Sequence, residues 1–297
     1  MLRHVLLVTI VLGSLTAYSQ SKRSATTSCQ KTGSFPTQCN PFGTASTAHP
    51  IDNTCGVSGN ASDPGQQAQD EVKNNLCASG PGQEVTVSLL SQMQSKIDTS
   101  GLQYGNRYIN KNLPPPPTDR EAHFGKDVLR TPVGEKDLVF FVGYIAEAKT
   151  ASPESVNCNC TGAQANDIHV ALADHPLHLQ KAAKNAPPAT KAKITKSNNA
   201  SLCTNSITAE VIPHLRPPEL QQSVLSQIID KKIVLVTGQL FFDASHHSCK
   251  GSTPSKSDPA RIASWEIHPV YDIKICKNNT LAKCQGDVAE DWTALAP

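Results

Sequence analysis

The sequence predicts a mainly β protein whose core is a small five-stranded Greek-key barrel. One helix lies between the third and fourth strands, and a short helical extension precedes the barrel. Three observations support this prediction: strand-like apolar patterns recur from residue 133 onwards, a single amphipathic helical segment interrupts them, and two of the longest patterns each contain an interior glycine.

Each barrel element is predicted from its own pattern. The predicted strands are 136–149, 166–174, 206–214, 231–243 and 263–276. Segment 217–230 begins with proline and then places its apolar residues on one side, which is typical of a helix. Gly143 and Gly238 mark bends or bulges in the two long strands, and Pro269 requires an edge position or a bulge in the last strand. A mixed α/β sheet is the alternative, but it would need helices between most strands.

The first residues predict export. Residues 1–19 combine basic residues, a short apolar run and a small-x-small site, which is typical of a signal peptide. The run is shorter than the roughly 20 residues that span a bilayer, so a retained anchor is the weaker alternative. We expect a secreted or periplasmic protein with no transmembrane segment after cleavage.

The remaining segments are assigned by composition. They are a disordered or extended lead-in (20–63), a small helical element (64–112), a proline-rich connector (113–132), the barrel domain (133–276) and a C-terminal tail (277–297). In the helical element we expect one helix over 66–76 and a second with Ser88 as candidate N-cap, both docked on the barrel.

The chain contains ten cysteines, an even number that favours disulfides in an exported protein. They are Cys29, Cys39, Cys55, Cys77, Cys158, Cys160, Cys203, Cys249, Cys276 and Cys284. The pairing stays open, although Cys55 with Cys77, and Cys203 with Cys158 or Cys160, are plausible bridges. Zinc is the competing reading, but the single residue between Cys158 and Cys160 is tighter than usual zinc-ligand spacing.

Charge and aromatic content disfavour nucleic acid as a partner. The net charge is +2 and aromatic residues make up 5% of the chain. Residues 178–200 carry five lysines and no acid, which could grip phosphates. However, the second and third strands offer no aromatic platform for bases. We therefore expect 178–200 to be a solvated, mobile insertion.

The last predicted strand carries polar side chains opposite its apolar face. Its period of two places Trp265 on the core side and Glu266 and His268 on the other. His169 and Glu210 lie off the apolar sides of their strands. We predict a ligand-binding set of His169, Glu210, His246, Glu266 and His268. The competing interpretation is a hydrogen-bonded polar face that braces strand and loop.

These residues favour a binding or interaction module over an enzyme. No catalytic residue, cofactor or metal is assigned, because neither an HExxH spacing nor a GxSxG turn is present. The ligand would be an oligosaccharide, an oligonucleotide or a protein. One alternative is a metal-assisted, phosphodiesterase-like hydrolase with His169, His246, His268 and Glu266 as metal ligands. Another is a structural envelope or matrix protein attached through the lysine-rich loop and N-terminal tail.

Two resemblances accompany this reading. The element order resembles that of the OB-fold, whose second and third strands and adjoining loops bind oligosaccharides and oligonucleotides. The segments DIHVALAD, ITAEVIPHLRP, VTGQLFFDASHHSC and WEIHPVYDIKIC resemble a group of secreted bacterial proteins with a WEIHP signature in the last strand. This second resemblance covers about residues 133–276. It implies a barrel and an exported bacterial protein, and it supplies no catalytic residues.

Overall fold

The barrel strands form where the alternating patterns predict them. In the computed structural model, which describes residues 29–39, 41, 49–255 and 258–297, seven strands form one sheet. They are β1 (Gln83–Glu84), β2 (Leu138–Thr150), β3 (Ile168–Ala173), β4 (Ile207–Val211), β5 (Ile233–Phe242), β6 (Trp265–Cys276) and β7 (Trp292–Ala294). The five long strands are those predicted, with boundaries one to three residues shorter at most ends.

Five of these strands close into a barrel. β2 pairs with β3 and β3 with β4, both antiparallel, β4 with β6 in parallel, and β6 with β5 antiparallel. The antiparallel pairing of β5 with β2 closes the cylinder. The parallel pair needs a long crossover, which β5 and the preceding helix provide. This is the OB-like Greek-key connectivity with a helix between the third and fourth strands, as predicted.

The barrel interior is apolar because alternate residues of every strand point inwards. Trp265 is fully buried there, with its ring centroid 5.2 Å from that of Phe242 in an edge-on arrangement. Phe124, from a helix before the barrel, stacks on Phe242 at 4.5 Å. The expected core position of Trp265 is confirmed.

Bulges occur at one of the two predicted glycines. The β5–β6 register shifts on both sides of Gly238, next to Pro269. A Cβ at Gly238 would lie 2.4 Å from the carbonyl oxygen of Pro269, so only glycine fits this approach. The bulge near Pro269 is therefore confirmed, whereas an edge position is wrong because β6 lies between β4 and β5. In β2 the irregularity falls between Ile145 and Glu147 rather than at Gly143.

Six α-helices lie outside the barrel among the described residues. They are α1 (Pro64–Lys73), α2 (Val87–Thr99), α3 (Glu121–Phe124), α4 (Lys126–Leu129), α5 (Pro188–Asn205) and α6 (Gln222–Ile228). α1 ends at Lys73 rather than at residue 76. Thr86, not Ser88, caps α2, since its hydroxyl accepts a 3.1 Å hydrogen bond from the Leu89 amide.

No helix in the described part of the chain is both long and apolar enough to cross a membrane.

The structure corrects the prediction for the lysine-rich segment 178–200, which we expected to be a mobile insertion. Residues 188–205 form the helix α5 instead. The segment has no apolar stripe, so periodicity gave no helical signal, but alanine and lysine favour helix and Pro188 suits the first turn. Only Leu202 and Cys203 of α5 are buried.

All ten cysteines form disulfides. The bridges are Cys29–Cys160, Cys39–Cys77, Cys55–Cys158, Cys203–Cys249 and Cys276–Cys284. The predicted bridge between Cys55 and Cys77 is wrong, and so is a bridge from Cys203 to Cys158 or Cys160. Since both residues of the Cys-x-Cys pair are oxidised, the zinc reading of that pair is also wrong. Five bridges place the protein in an oxidising, non-cytoplasmic compartment.

Hydrogen bonds attach the segments on either side of the barrel to the rest of the fold. In the described part of the lead-in, the Gln30 amide donates a 3.2 Å hydrogen bond to the carbonyl of Cys158, which lies between β2 and β3. The predicted tail returns as β7, which pairs with β6. The predicted signal peptide, residues 1–19, lies outside the described residues.

Candidate functional site

The outer surface of β3, β4 and β6 carries a cluster of charged side chains, here called the polar face. The β3–β4 register places His169 opposite Glu210, and their Nε2 and Oε1 atoms are 3.1 Å apart. Nδ1 of His268 lies 3.1 Å from Oε2 of Glu210 and 3.4 Å from Oε2 of Glu266. Strand alternation and sheet register therefore bring four of the five predicted residues together.

The polar face is not open to solvent. Glu210, Glu266 and His268 are buried. Above them lie residues 55–76, which include α1, and residues 151–167, here together called the cover. Nζ of Lys73 in α1 lies 3.1 Å from Glu154 and 3.9 Å from Glu210. The expected approach of a ligand across this whole face is therefore blocked by the chain itself.

A disulfide and hydrogen bonds join the two parts of the cover. Cys55–Cys158 links them covalently. The Ser155 hydroxyl donates a 2.9 Å hydrogen bond to Asp70, and the Asn74 side-chain amide donates to the Val156 carbonyl at 3.2 Å. The Gln239 side chain of β5 donates to the Val72 carbonyl at 2.8 Å, which fixes α1 to the barrel. The cover is thus held against the barrel by specific covalent and hydrogen-bonded contacts.

His246 lies apart from the other predicted residues. Its Nδ1 is 2.8 Å from Oδ2 of Asp243, just after β5. The fully buried Arg261 donates to Asp243 at 2.8 Å and to Glu266 through its other terminal nitrogen. Among the described residues, the side chain of His246 is connected to the polar face through Asp243 and Arg261. The structure places His246 beside the polar face, and its membership of one site with His169 and His268 stays a prediction.

Asp167 completes the polar face and was not predicted. Asp167, Glu210 and His268 each offer one potential ligand atom, and these three atoms lie within 4.8 Å of one another. Oδ2 of Asp167 accepts a 3.0 Å hydrogen bond from Asn157, whereas Oδ1 has no hydrogen-bond partner among the described residues. The sequence held one signal: Asp167 directly precedes the alternating β3 pattern.

Burial and neighbouring charges move the carboxyl pKa values in opposite directions. Burial alone would raise the pKa of Glu210, but His169, Lys73 and His268 together hold it well below its usual value. Burial raises the pKa of Asp167, and the adjacent Glu210 raises it further. The polar face therefore holds one strongly ionised carboxylate beside one that retains its proton more readily.

Asp243 and His246 each favour the ionised form of the other. Burial opposes ionisation of Asp243, yet His246 and Arg261 hold its pKa well below the usual value. Burial would lower the pKa of His246, but Asp243 overrides this and raises it. The stability from Asp243 is therefore complete above its unfolded pKa and is lost as the pH falls through its depressed folded pKa. The stability from His246 is lost as the pH rises through its raised folded pKa.

Replacing Asp70 with asparagine is expected to remove a pH-dependent loss of stability. Burial raises the pKa of Asp70 from 3.8 to about 6, because the contacts with Gln66, Lys73 and Ser155, which lower the pKa, are weaker than the effect of burial. The folded protein then binds more protons than the unfolded chain, so the free energy of unfolding falls by about 2–3 kcal/mol as the pH rises from about 4 to 6. Urea titrations across this range should show a flatter profile for Asp70→Asn than for the wild type. Glu71→Gln, on the exposed side of α1, should keep the wild-type slope; equal slopes for all three proteins would contradict the assignment.

A cleft opens beside the cover. It lies between the outer face of β3 and β4, α5 and residues 258–260, and has a volume of about 360 Å³. His169 lines it with its side chain 19% exposed, together with Asn199, Thr208 and Asp258. The Glu147–Lys149 ion pair, 2.9 Å long, lies at its rim. His169 is the predicted residue through which the polar face reaches this cleft.

Other cavities do not coincide with this chemistry. Cavities of about 490, 750 and 700 Å³ lie near α1, near α2 and near residues 281–287. No described residue of the predicted set lines them, and Asp167 does not either. We therefore take the smaller cleft at His169 as the candidate site, because the predicted chemistry and not the volume selects it. Comparison of the chain with known proteins finds no matching family model, no similar curated protein and no similar solved structure.

Proposed function

We propose that this protein is an exported binding module that holds a small, hydroxyl-rich ligand, such as a segment of an oligosaccharide, in the cleft at His169. The observation that carries the proposal is a polar cleft of about 360 Å³ with a braced histidine in its wall. That volume is within the range of small-ligand sites. Glu210 fixes the His169 ring from behind at 3.1 Å, so the ring is preorganised for a ligand.

The donor and acceptor content of the cleft suits hydroxyl groups. Asn199 and Thr208 each provide both donors and acceptors, and Asp258 provides acceptors. Asn198 is already engaged by both backbone groups of Gln180, so it shapes the wall of the cleft. A sugar hydroxyl both donates and accepts, and this mixed lining meets both needs.

Nucleic acid and protein partners are supported less well. The cleft lining contains no Phe, Trp or Tyr. Lys149 pairs with Glu147 at the rim, so Asp258 leaves the lining without excess positive charge. Binders of single strands use aromatic stacking and a positively charged groove. A protein partner would need a broader surface than this narrow cavity.

The hydrolase alternative has weaker support than binding. Glu210, His268 and Asp167 do converge, but all three are almost completely buried. A catalytic metal needs a coordination position that substrate or water can reach. The five disulfides and the predicted signal peptide support export, and the resemblance to secreted bacterial proteins with a WEIHP strand is in line with it.

The test uses the wild type, His169→Ala and Asn199→Ala with a panel of neutral and acetamido tetrasaccharides. We expect millimolar to micromolar binding by the wild type in calorimetry or NMR titration. Both variants should bind at least about 10-fold more weakly, the effect of losing roughly 1.4 kcal/mol of polar contacts. Gln92→Ala, on the exposed surface of α2 away from the cleft, is the matched control. Absence of saccharide binding, or equal affinity in His169→Ala, would refute the proposal. Pull-down of envelope proteins independent of His169 would support a structural role instead.

A further inference from the structure

Behind the cleft, the polar face contains buried atoms with unmet bonding capacity. Oδ1 of Asp167 and Oε2 of Glu210 are buried and have no hydrogen-bond partner among the described residues. Asp167 and His268 are both 0% exposed. Carboxylate oxygens that are withdrawn from water without a hydrogen-bond donor cost free energy, so such atoms call for a ligand.

The buried charges in this region also do not balance. The buried carboxyl groups of the polar face, its Arg261 neighbourhood and the cover are Asp70, Asp167, Glu210, Asp243 and Glu266. The buried permanent cations there are Lys73, Arg216 and Arg261. Five carboxyl groups therefore face three permanent cations, and His246 offsets part of this excess at Asp243. A divalent cation would neutralise the part of the excess that lies at Asp167 and Glu210.

We propose that Asp167, Glu210 and His268 bind one divalent first-row transition-metal ion, of the class of Zn²⁺ or Mn²⁺. Two carboxylate oxygens and one imidazole nitrogen form a donor set that these ions accept. Their ligand atoms lie within 4.8 Å of one another. Neighbouring donor atoms around a tetrahedral ion are about 3.4 Å apart when each metal–ligand bond is about 2.1 Å long. Nδ1 of His268 and Oε2 of Glu210 are 3.1 Å apart, which is close to that spacing. Only a small closure around the ion is needed.

The position of these residues indicates what the ion does. Asp167 ends the cover, whereas Glu210 and His268 belong to β4 and β6 of the barrel. An ion between them links the cover to the barrel in addition to the disulfides. Because the site is buried, this is a stabilising centre and not a catalytic one. It is independent of ligand binding in the cleft, so either proposal can fail while the other stands.

Lys73 is the internal competitor for this ion. Its ammonium lies 3.9 Å from Glu210. Burial alone would lower the pKa of Lys73, but the neighbouring Glu154 and Glu210 raise it well above its usual value, so Lys73 stays protonated. The metal therefore binds against a like charge. Removing that charge with Lys73→Met should raise metal affinity by about 10-fold or more, even if it lowers the stability of the metal-free protein.

The experiment refolds the full mature chain with its disulfides in Zn²⁺, in Mn²⁺ or in EDTA, and then measures bound metal after desalting. We expect the wild type to retain one equivalent. Its Tm should rise by about 5–10 °C at a free metal concentration of about 100 times Kd. Asp167→Asn and His268→Gln should lose the bound metal and the shift in Tm.

The matched control is Glu135→Gln. Glu135 is also buried, but it pairs with Arg120 away from the polar face. This variant should lose stability and still bind one equivalent of metal. The proposal is overturned if refolded wild type and Lys73→Met both bind no metal and have the same Tm in metal and in EDTA. It is overturned equally if metal content does not change in Asp167→Asn and His268→Gln. The metal content of the wild type and its Tm in metal and in EDTA test the proposal even where a variant does not fold.

Discussion

Replacing Arg261 with methionine is expected to lower the free energy of unfolding by about 3–5 kcal/mol, because it leaves buried carboxylates without their cation. Arg261 is fully buried and contacts both Asp243 and Glu266. Methionine retains much of the side-chain volume, so the loss measures charge pairing rather than packing. Urea unfolding at neutral pH, with the m-value checked for constancy, gives the value directly.

Two controls define the origin of this effect. Lys149→Met breaks the exposed pair with Glu147 and should cost less than about 1 kcal/mol. Adding Asp243→Asn and Glu266→Gln to Arg261→Met should recover part of the loss, since the uncompensated charges are then absent. A loss below about 1 kcal/mol for Arg261→Met, or no recovery in the triple variant, would show that the network contributes little.

Removing both disulfides of the cover region should detach the cover from the barrel. Cys55–Cys158 closes a loop of 103 residues in the unfolded chain, and Cys29–Cys160 closes one of 131 residues that contains it. Once the inner bridge is formed, the outer bridge closes only the difference, 131 − 103 = 28 residues. Chain entropy assigns about 4–5 kcal/mol to the first bridge and about 3–4 kcal/mol to the second. Replacing all four cysteines with serine therefore removes stability comparable to that of a whole domain.

Limited proteolysis and hydrogen exchange measure this effect segment by segment. We expect cleavage and fast exchange within 55–76 and 151–160 in the four-serine variant. The barrel strands should resist longer, because their pairing does not use these bridges. Cys276→Ser with Cys284→Ser, a bridge spanning 8 residues, should cost only about 2–3 kcal/mol and leave the cover protected. Equal protection of the cover in all three proteins would mean that its hydrogen bonds suffice without the bridges.

Local patterns predicted the barrel well because strand alternation is a property of neighbouring residues. Trp265 and Glu266 had to face opposite sides whatever the rest of the chain did. The same argument placed His169 and Glu210 on one surface once the strand order was assumed. α5 was missed because its exposed, lysine-rich residues show no apolar stripe, and periodicity detects helices only through such a stripe.

The site was predicted only in part because its contacts join distant segments. Lys73 and Glu210 are close together, yet they lie far apart in the chain. Asp167, Lys73 and Arg261 have no local pattern that marks them as members of one network. His246 was grouped with the strand histidines by residue type, whereas the loop after β5 turns it towards Asp243.

The amino-acid sequence by itself determined which segments become strands, which of their faces are polar, and that oxidised cysteines stabilise the protein. These properties follow from side-chain periodicity and composition, which act within a few residues. Only the tertiary structure decided which cysteines pair, that α1 and residues 151–167 cover the polar face, and that His169 alone of the predicted set reaches the cleft. Those outcomes depend on how segments more than a hundred residues apart meet when the barrel closes, and no local pattern encodes that meeting.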